Sequence, residues 1–190
     1  MKNPFLTPKF NSDKIQLGLM EEYKSILNPL KNRPISFMEL GIKFGGSIQY
    51  WDDFLKHPEA QIVGLDLKVP DIEMSDRVTL YECDQNDSEQ VKQIGDKHGP
   101  FDLVIDDASH FAKETRKCWD ILWPKVKMGG YYIIEDWAVG YFGKQLPQYE
   151  GMIEVVTNIM TKANHQTIKD FQIINEPGKS MAFFQKGIFK

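Results

Sequence analysis

The sequence predicts an α/β fold built on a mainly parallel, seven-stranded sheet that ends in an antiparallel hairpin. Three observations carry this expectation. From residue 35 onward, short apolar runs alternate with polar or amphipathic stretches, which is the pattern of βαβ units covered by helices on both faces. A glycine-bearing turn, Gly41 to Gly46, follows the first run and opens the first intervening helix. Near the end, two strand-like runs flank Glu176-Pro177-Gly178, a tight connection. With 190 residues, 42% of them hydrophobic and 26% charged, the chain suits one ordinary globular domain and is short for two.

Residues 1–11 carry two prolines and little periodicity, and read as an extended arm. Asn11-Ser12-Asp13 offers capping side chains ahead of a helical pattern that sets Ile15, Leu19, Tyr23, Ile26 and Leu27 on one side. Pro29 and Pro34 end that helix, and the sheet-forming region runs from residue 35 to 190. Strands are expected at Ile35–Leu40, Gln61–Leu65, Arg77–Cys83, Phe101–Ile105 and Tyr131–Ile134. Helices fit at about 46–57, 86–98 and 111–123, with a turn or short helix near 71–76. A further helix to about Lys162 precedes strands at Thr167–Asn175 and Lys179–Gln185. No internal repeat or low-complexity tract interrupts the series.

Composition narrows the function. A net charge of -4 and a pI near 5.6 argue against a surface built for nucleic-acid phosphates, since no basic excess exists to release counterions. Cys83 and Cys118 form neither a metal-ligand pattern nor a disulfide framework, so free buried thiols are expected. The N-terminal segment lacks the apolar core of a signal peptide, and no run approaches membrane-spanning length. A cytoplasmic protein that uses neither membrane nor nucleic acid is the expectation, with homo-oligomer formation left open.

The turn Glu39-Leu40-Gly41-Ile42-Lys43-Phe44-Gly45-Gly46-Ser47 lies where dinucleotide-binding folds set a pyrophosphate on a helix N-terminus. Its middle glycine position is Lys43, which suits a dinucleotide poorly. The acid Glu39 two residues before Gly41 suits a ligand that carries an ammonium group and no phosphate. Asp66 ends the second strand, where a carboxylate accepts hydrogen bonds from both ribose hydroxyls of an adenosine-containing ligand. Asp84 ends the third, in reach of an adenine edge.

The fourth run ends Asp106-Asp107-Ala108-Ser109-His110 and the fifth ends Glu135-Asp136. Neighbouring strands lie about 5 Å apart, so four carboxylates crowd one end of the sheet. Such crowding is costly unless something neutralises it, and a hard cation such as Mg²⁺ takes oxygen ligands. Successive strand side chains face opposite ways. Asp107 is therefore assigned to the metal and Asp106 to the cofactor side. Glu135 and Asp136 both reach the metal only if the chain turns there. His110, three residues past Asp107, has the ordinary basicity of a general base at neutral pH. His57, His98 and His165 carry no such context and are expected at the surface.

Together, Glu-Leu-Gly-x-x-x-Gly-Gly-Ser, Gly-Leu-Asp, Ile-Asp-Asp-Ala-Ser-His and Gly-Gly-Tyr-Tyr-Ile-Ile-Glu-Asp resemble the macrocin O-methyltransferase and cephalosporin hydroxylase-like family. The resemblance runs from about Ser12 to Asp136 and implies a Rossmann-like class I methyltransferase fold. It implies that Gly41, Gly45, Ser47, Asp66, Asp84 and Asp106 surround S-adenosylmethionine; Glu39 and Gly46 of the same turn complete the candidate cofactor residues. It further implies that Asp107, Glu135 and Asp136 hold Mg²⁺, that His110 is the base, and that the acceptor is a sugar hydroxyl. Ser12-Asp13-Lys14 is similar to a Thr-Asp-Lys segment of that family, and a plain helix cap explains it equally well. Ala108 stands where the family usually has glycine, and the chain is shorter than most relatives, which touches the parts that select the acceptor. Trp137–Tyr149, with its aromatic residues beside Gly140 and Gly143, would form a flap over the substrate or pack onto the domain. Two rivals stand beside this reading. One is a nicotinamide-dependent oxidoreductase, disfavoured by Lys43 and the terminal hairpin. The other is a non-catalytic binding protein of the same fold, disfavoured by the crowded charges.

Overall fold

The computed structural model describes residues 10–141, 151–162, 167–176 and 178–188. Its strands are β1 (Ser36–Leu40), β2 (Gln61–Asp66), β3 (Val78–Glu82), β4 (Phe101–Asp106), β5 (Val126–Glu135), β6 (Ile168–Glu176) and β7 (Lys179–Lys186). They form one seven-stranded sheet in the order β3-β2-β1-β4-β5-β7-β6. β1 to β5 pair in parallel, and β7 runs antiparallel to both β5 and β6. The expected sheet and its closing hairpin are both present. β5 starts five residues before the apolar run that marked it. Val126 pairs with Phe101, but the next pairing joins Tyr131 to Leu103. The intervening residues bulge around Gly129, whose φ is 84°, and so show no alternation.

Six α-helices accompany the sheet among the described residues: α1 (Asp13–Gln16), α2 (Leu19–Leu27), α3 (Gly46–Phe54), α4 (Ser88–His98), α5 (Ala112–Leu122) and α6 (Met152–Thr161). The single helix expected after Ser12 is divided in two, because Gly18 takes a left-handed φ of 73° between α1 and α2. Its apolar stripe survives the break, with Leu19, Tyr23 and Leu27 buried in the same layer as Phe37. Ser12 makes no side-chain cap; the Asp13 carboxylate instead accepts the Lys14 amide at 3.0 Å. Residues 71–76 form no helix. Ile72 packs toward the main core, and Asp52 holds Ser75 and Arg77 by hydrogen bonds.

Alternation along the central strands fills two apolar layers. Met38, Leu40 and Val104 face the layer of α4, α5 and α6, whereas Phe37, Leu103 and Ile105 face the layer of α2 and α3. All five residues of β1 are buried, as a strand covered on both faces requires. Glu39 shares this fate at 0% exposure, an arrangement that demands partners. Among the described residues, no helix is long and apolar enough to cross a membrane. Cys83 and Cys118 are free and buried, as expected.

The strand order reverses direction at β1: β2 and β3 lie on one side of it, β4 and β5 on the other. A crevice forms beyond the carboxyl ends of strands at such a point, and ligands of open α/β sheets bind there.

Candidate active site

A pocket of about 790 Å³ opens over these strand ends, within the range of small-molecule and cofactor sites. The glycine turn, Asp66, the loop 83–86, the loop 107–111 and α1 all contribute to its wall.

The turn after β1 is held by tight packing. Gly41, at φ 84°, donates to the Leu65 carbonyl at 2.8 Å, and Asp107 donates to the Leu40 carbonyl at 2.9 Å. A Cβ on Gly41 would lie 2.1 Å from the Asp107 carbonyl oxygen, so only glycine lets the two loops meet. Lys43 adopts a left-handed φ of 50°, and its amide donates to Asp66 at 2.7 Å. A Cβ on Gly46 would lie 2.1 Å from the Asn11 carbonyl oxygen, backbone that cannot swing away, and one on Gly45 would meet the end of the Ile72 side chain. These glycines thus serve protein packing first.

Of the residues assigned to the cofactor from sequence, Gly41, Ser47, Asp66 and Asp84 line the pocket. Glu39, Gly45, Gly46 and Asp106 lie behind its wall rather than on it. Gly45 and Gly46 face other segments, as above. Glu39 points to the α3 side, where the Trp51 indole N–H donates to it at 3.1 Å. Asp106, 2% exposed, accepts from the Gln85 amide at 3.0 Å and the Tyr132 hydroxyl at 3.2 Å. Burial raises the Asp106 carboxyl to about 7, against the lowering effect of those hydrogen bonds.

Asp107, His110 and Asp136 converge on the pocket, with one potential ligand atom from each lying within 4.8 Å of the others. The His110 Nε2 stands 3.9 Å from Asp107 Oδ1 and 3.9 Å from Asp136 Oδ2. His110 (φ 57°) and Asp136 (φ 53°) both occupy the left-handed region, a costly conformation for non-glycine residues that clusters at functional sites. The positive φ at Asp136 supplies the turn that sequence reasoning required. It does not bring Glu135 into the same group. Glu135, 2% exposed, turns inward, and its Oε1 accepts from Lys14 at 2.5 Å and from the Tyr23 hydroxyl. The two carboxylates fit a hard divalent cation, and the imidazole beside them is placed to act on a proton. Burial pushes His110 below its ordinary value of 6.5, while Asp136 and Glu135 pull the other way.

Three residues of this site escaped the sequence reading as functional groups. Lys14 is 3% exposed, and its ammonium contacts Asp107, Glu135 and, at 3.3 Å, Glu39. Burial alone would push that ammonium down; Asp107, Glu135 and Glu39 outweigh it and hold it well above the ordinary lysine value. One ammonium does not fully compensate three acids, however, and burial lifts Glu39, Asp107 and Glu135 to about 7. Tyr23 looked like one more apolar stripe residue. Gln85 carries the third role: its amide N–H₂ binds Asp106, and its oxygen accepts from the Ser109 amide at 3.2 Å and hydroxyl at 2.7 Å. Nothing in the spacing of a glutamine after β3 marks it; only the fold brings Ser109 to it.

Of the remaining histidines, His57 and His98 are half-buried rather than exposed; His98 Nε2 lies 2.8 Å from the Tyr81 hydroxyl. His165 lies outside the described residues. So do residues 142–149 of the expected flap. Trp137, its first residue, is buried with Met152 and Ile159 in the α5 and α6 layer.

The family described as Rhamnosyl O-methyltransferase/CmcI matches residues 16–171. A mycinamicin VI 2''-O-methyltransferase of Micromonospora griseorubida is 28% identical across 99% of this chain and 48% of its own length. A tetracenomycin rhamnosyl 3'-O-methyltransferase of Streptomyces olivaceus is 33% identical across 66% of this chain and 35% of its own. The solved structure of the MycE methyltransferase in complex with Mg, SAH and mycinamycin VI superposes with a TM-score of 0.74. It shares 28% identity and covers 88% of this chain and 48% of that one. A putative caffeoyl-CoA O-methyltransferase from Staphylococcus aureus, 14% identical with a TM-score of 0.62, shares the fold. The chain spans about half the length, or less, of the curated relatives it matches.

Proposed function

Because the chain belongs to the rhamnosyl O-methyltransferase/CmcI family, we propose that it transfers a methyl group from S-adenosylmethionine to a hydroxyl of a sugar or glycosylated small molecule, assisted by a divalent cation such as Mg²⁺. The observation that carries this reading is the meeting of Asp107, His110 and Asp136 at the switch point, on the wall of a pocket that also holds Asp66 and Asp84.

Asp66 and Asp84 would accept hydrogen bonds from the adenosine of the methyl donor, and Gly41 and Ser47 would lie against it. Asp107 and Asp136 would hold the cation, with Glu135 behind them. A bound cation makes a coordinated hydroxyl more acidic. His110, kept neutral by burial, takes the hydroxyl proton. The acceptor oxygen forms its bond to the methyl carbon as the carbon–sulfur bond breaks and its electron pair stays on sulfur. The pocket wall supplies alignment of the two reactants, which accounts for much of the acceleration in such reactions. The free, buried thiols of Cys83 and Cys118 suit a reducing cytoplasm.

Calorimetric titration of S-adenosylmethionine into the protein, with and without Mg²⁺, tests the proposal. One-to-one binding is expected, and hydroxylated sugars and nucleotide sugars would then be screened as acceptors. Absence of binding in both buffers would remove the methyltransferase reading.

A further inference from the structure

Lys14 occupies a place that neither the resemblance nor the proposed chemistry explains. It comes from α1, a single helical turn outside the sheet, yet its ammonium reaches acids from three strand ends: Glu39 of β1, Asp107 after β4 and Glu135 of β5. The two most intimate contacts are to Asp107 and Glu135, and Tyr23 adds a second donor to the same Glu135 oxygen. Asp107 divides its carboxylate. One oxygen faces Lys14, and the other lies on the His110 side.

We propose that Lys14 is the resident countercharge of this cluster. It is a positioning residue that holds Asp107 and Glu135 in place without a divalent cation and also holds down the affinity with which that cation binds. The second half rests on the divalent-cation reading given above. The physical argument has two parts. Buried acids from adjacent strand ends repel one another unless a cation sits between them, and Lys14 is the cation present in the fold itself. A fixed positive charge on a carboxylate that also ligates a metal then opposes the metal's charge. Removing the lysine should therefore weaken the metal-free protein and tighten metal binding together. A residue that merely filled space would do neither selectively.

The test compares wild type with Lys14→Met and Lys14→Arg, by thermal unfolding in EDTA and in Mg²⁺ and by calorimetric titration with Mg²⁺. In EDTA, Lys14→Met should lower Tm by about 10 °C, the scale of leaving buried charges unpaired. Saturating Mg²⁺ should recover most of that loss, and Mg²⁺ affinity should rise by about tenfold, a small part of the Coulomb energy between a unit and a double charge inside a protein. Lys14→Arg, which keeps the charge, should remain close to wild type in EDTA. An equal fall in Tm with and without Mg²⁺, or unchanged Mg²⁺ affinity in Lys14→Met, overturns the proposal while leaving the cation reading intact. Wild type and variant both failing to bind Mg²⁺ would overturn the two together. Should Lys14→Met not fold in either buffer, Lys14→Met/Glu39→Gln removes one charge of each sign and keeps Asp107, His110 and Asp136. It should fold in EDTA, and its failure to do so would refute the countercharge role.

Discussion

Replacing Gly41 by alanine probes the joint between the two loops that make the site. At φ 84°, any L side chain costs about 1–2 kcal/mol in backbone strain. The new Cβ would also fall 2.1 Å from the Asp107 carbonyl oxygen and 2.6 Å from the Ala108 Cα. These are backbone atoms, so no side chain can swing away, and overpacking of this kind adds about 1–3 kcal/mol. The sum is about 2–5 kcal/mol. Gly129 supplies the control, because it has the same φ of 84° and open space within 4 Å of the added Cβ. Gly129→Ala should cost only the strain, about 1–2 kcal/mol. Urea unfolding of both variants, with m-values unchanged from wild type, gives the two losses directly. Gly41→Ala should also weaken Mg²⁺ binding, since relief of the overlap displaces the backbone of Asp107 itself. If Gly41→Ala proves no less stable than Gly129→Ala, the close approach does not govern the position, and the argument from packing fails.

His110→Ala should abolish turnover while leaving the affinity for S-adenosylmethionine unchanged; equal activity in the variant would remove His110 from the mechanism. Burial holds the His110 imidazole below 6.5 and raises Asp107 to about 7. The base must be neutral and the ligand ionised, so activity should be full on the alkaline side of neutrality and fall as the pH drops through about 7 and then below 6.5. A rate profile flat down to about pH 5 would contradict this assignment. Gln85→Leu strips Asp106 and Ser109 of a shared partner and should cost about 1–3 kcal/mol; a loss under about 0.5 kcal/mol in urea unfolding would show the bridge to be dispensable.

The sheet was legible in the sequence because central strands buried on both faces read as mainly apolar runs, and Ile35–Leu40 and Phe101–Ile105 both do, interrupted only by Ser36, Glu39 and Asp102. Its ends were less so. The Gly129 bulge hid half of β5, and Gly18 divided one amphipathic stripe into two helices without disturbing the stripe. Within the site, sequence spacing picks out residues that the structure sets at the pocket wall, such as Asp66, Asp107 and Asp136. It does not reveal the direction of those that depend on what lies behind the strand. Glu39 and Asp106 are acids of β1 and β4 that face opposite layers, each bound to protein donors and withdrawn from the pocket. Parity separates Asp106 from Asp107, but only tertiary partners reveal that Gln85 and Tyr132 already occupy the former.

That distinction changes what the crowded acids mean. Counted along the chain, Asp106, Asp107, Glu135 and Asp136 form one set calling for one metal. In space they divide by neighbour. Asp106 is satisfied by neutral donors, Glu135 by Lys14 and Tyr23, and Asp107, which shares Lys14 through one oxygen, stands with Asp136 and His110 at the pocket. The charge that an external cation must balance is correspondingly smaller than the sequence count suggests. It follows that α1 and α2, which precede the sheet and contribute no strand, belong to the chemistry as well as to the core. Lys14 and Tyr23 decide which acids stay available, and Tyr23 does so from the same helix face that buries Leu19 and Leu27. Packing of that face against the sheet is therefore what aims the two polar groups, so a substitution that loosens α2 should disturb the acid cluster even though it touches none of its members.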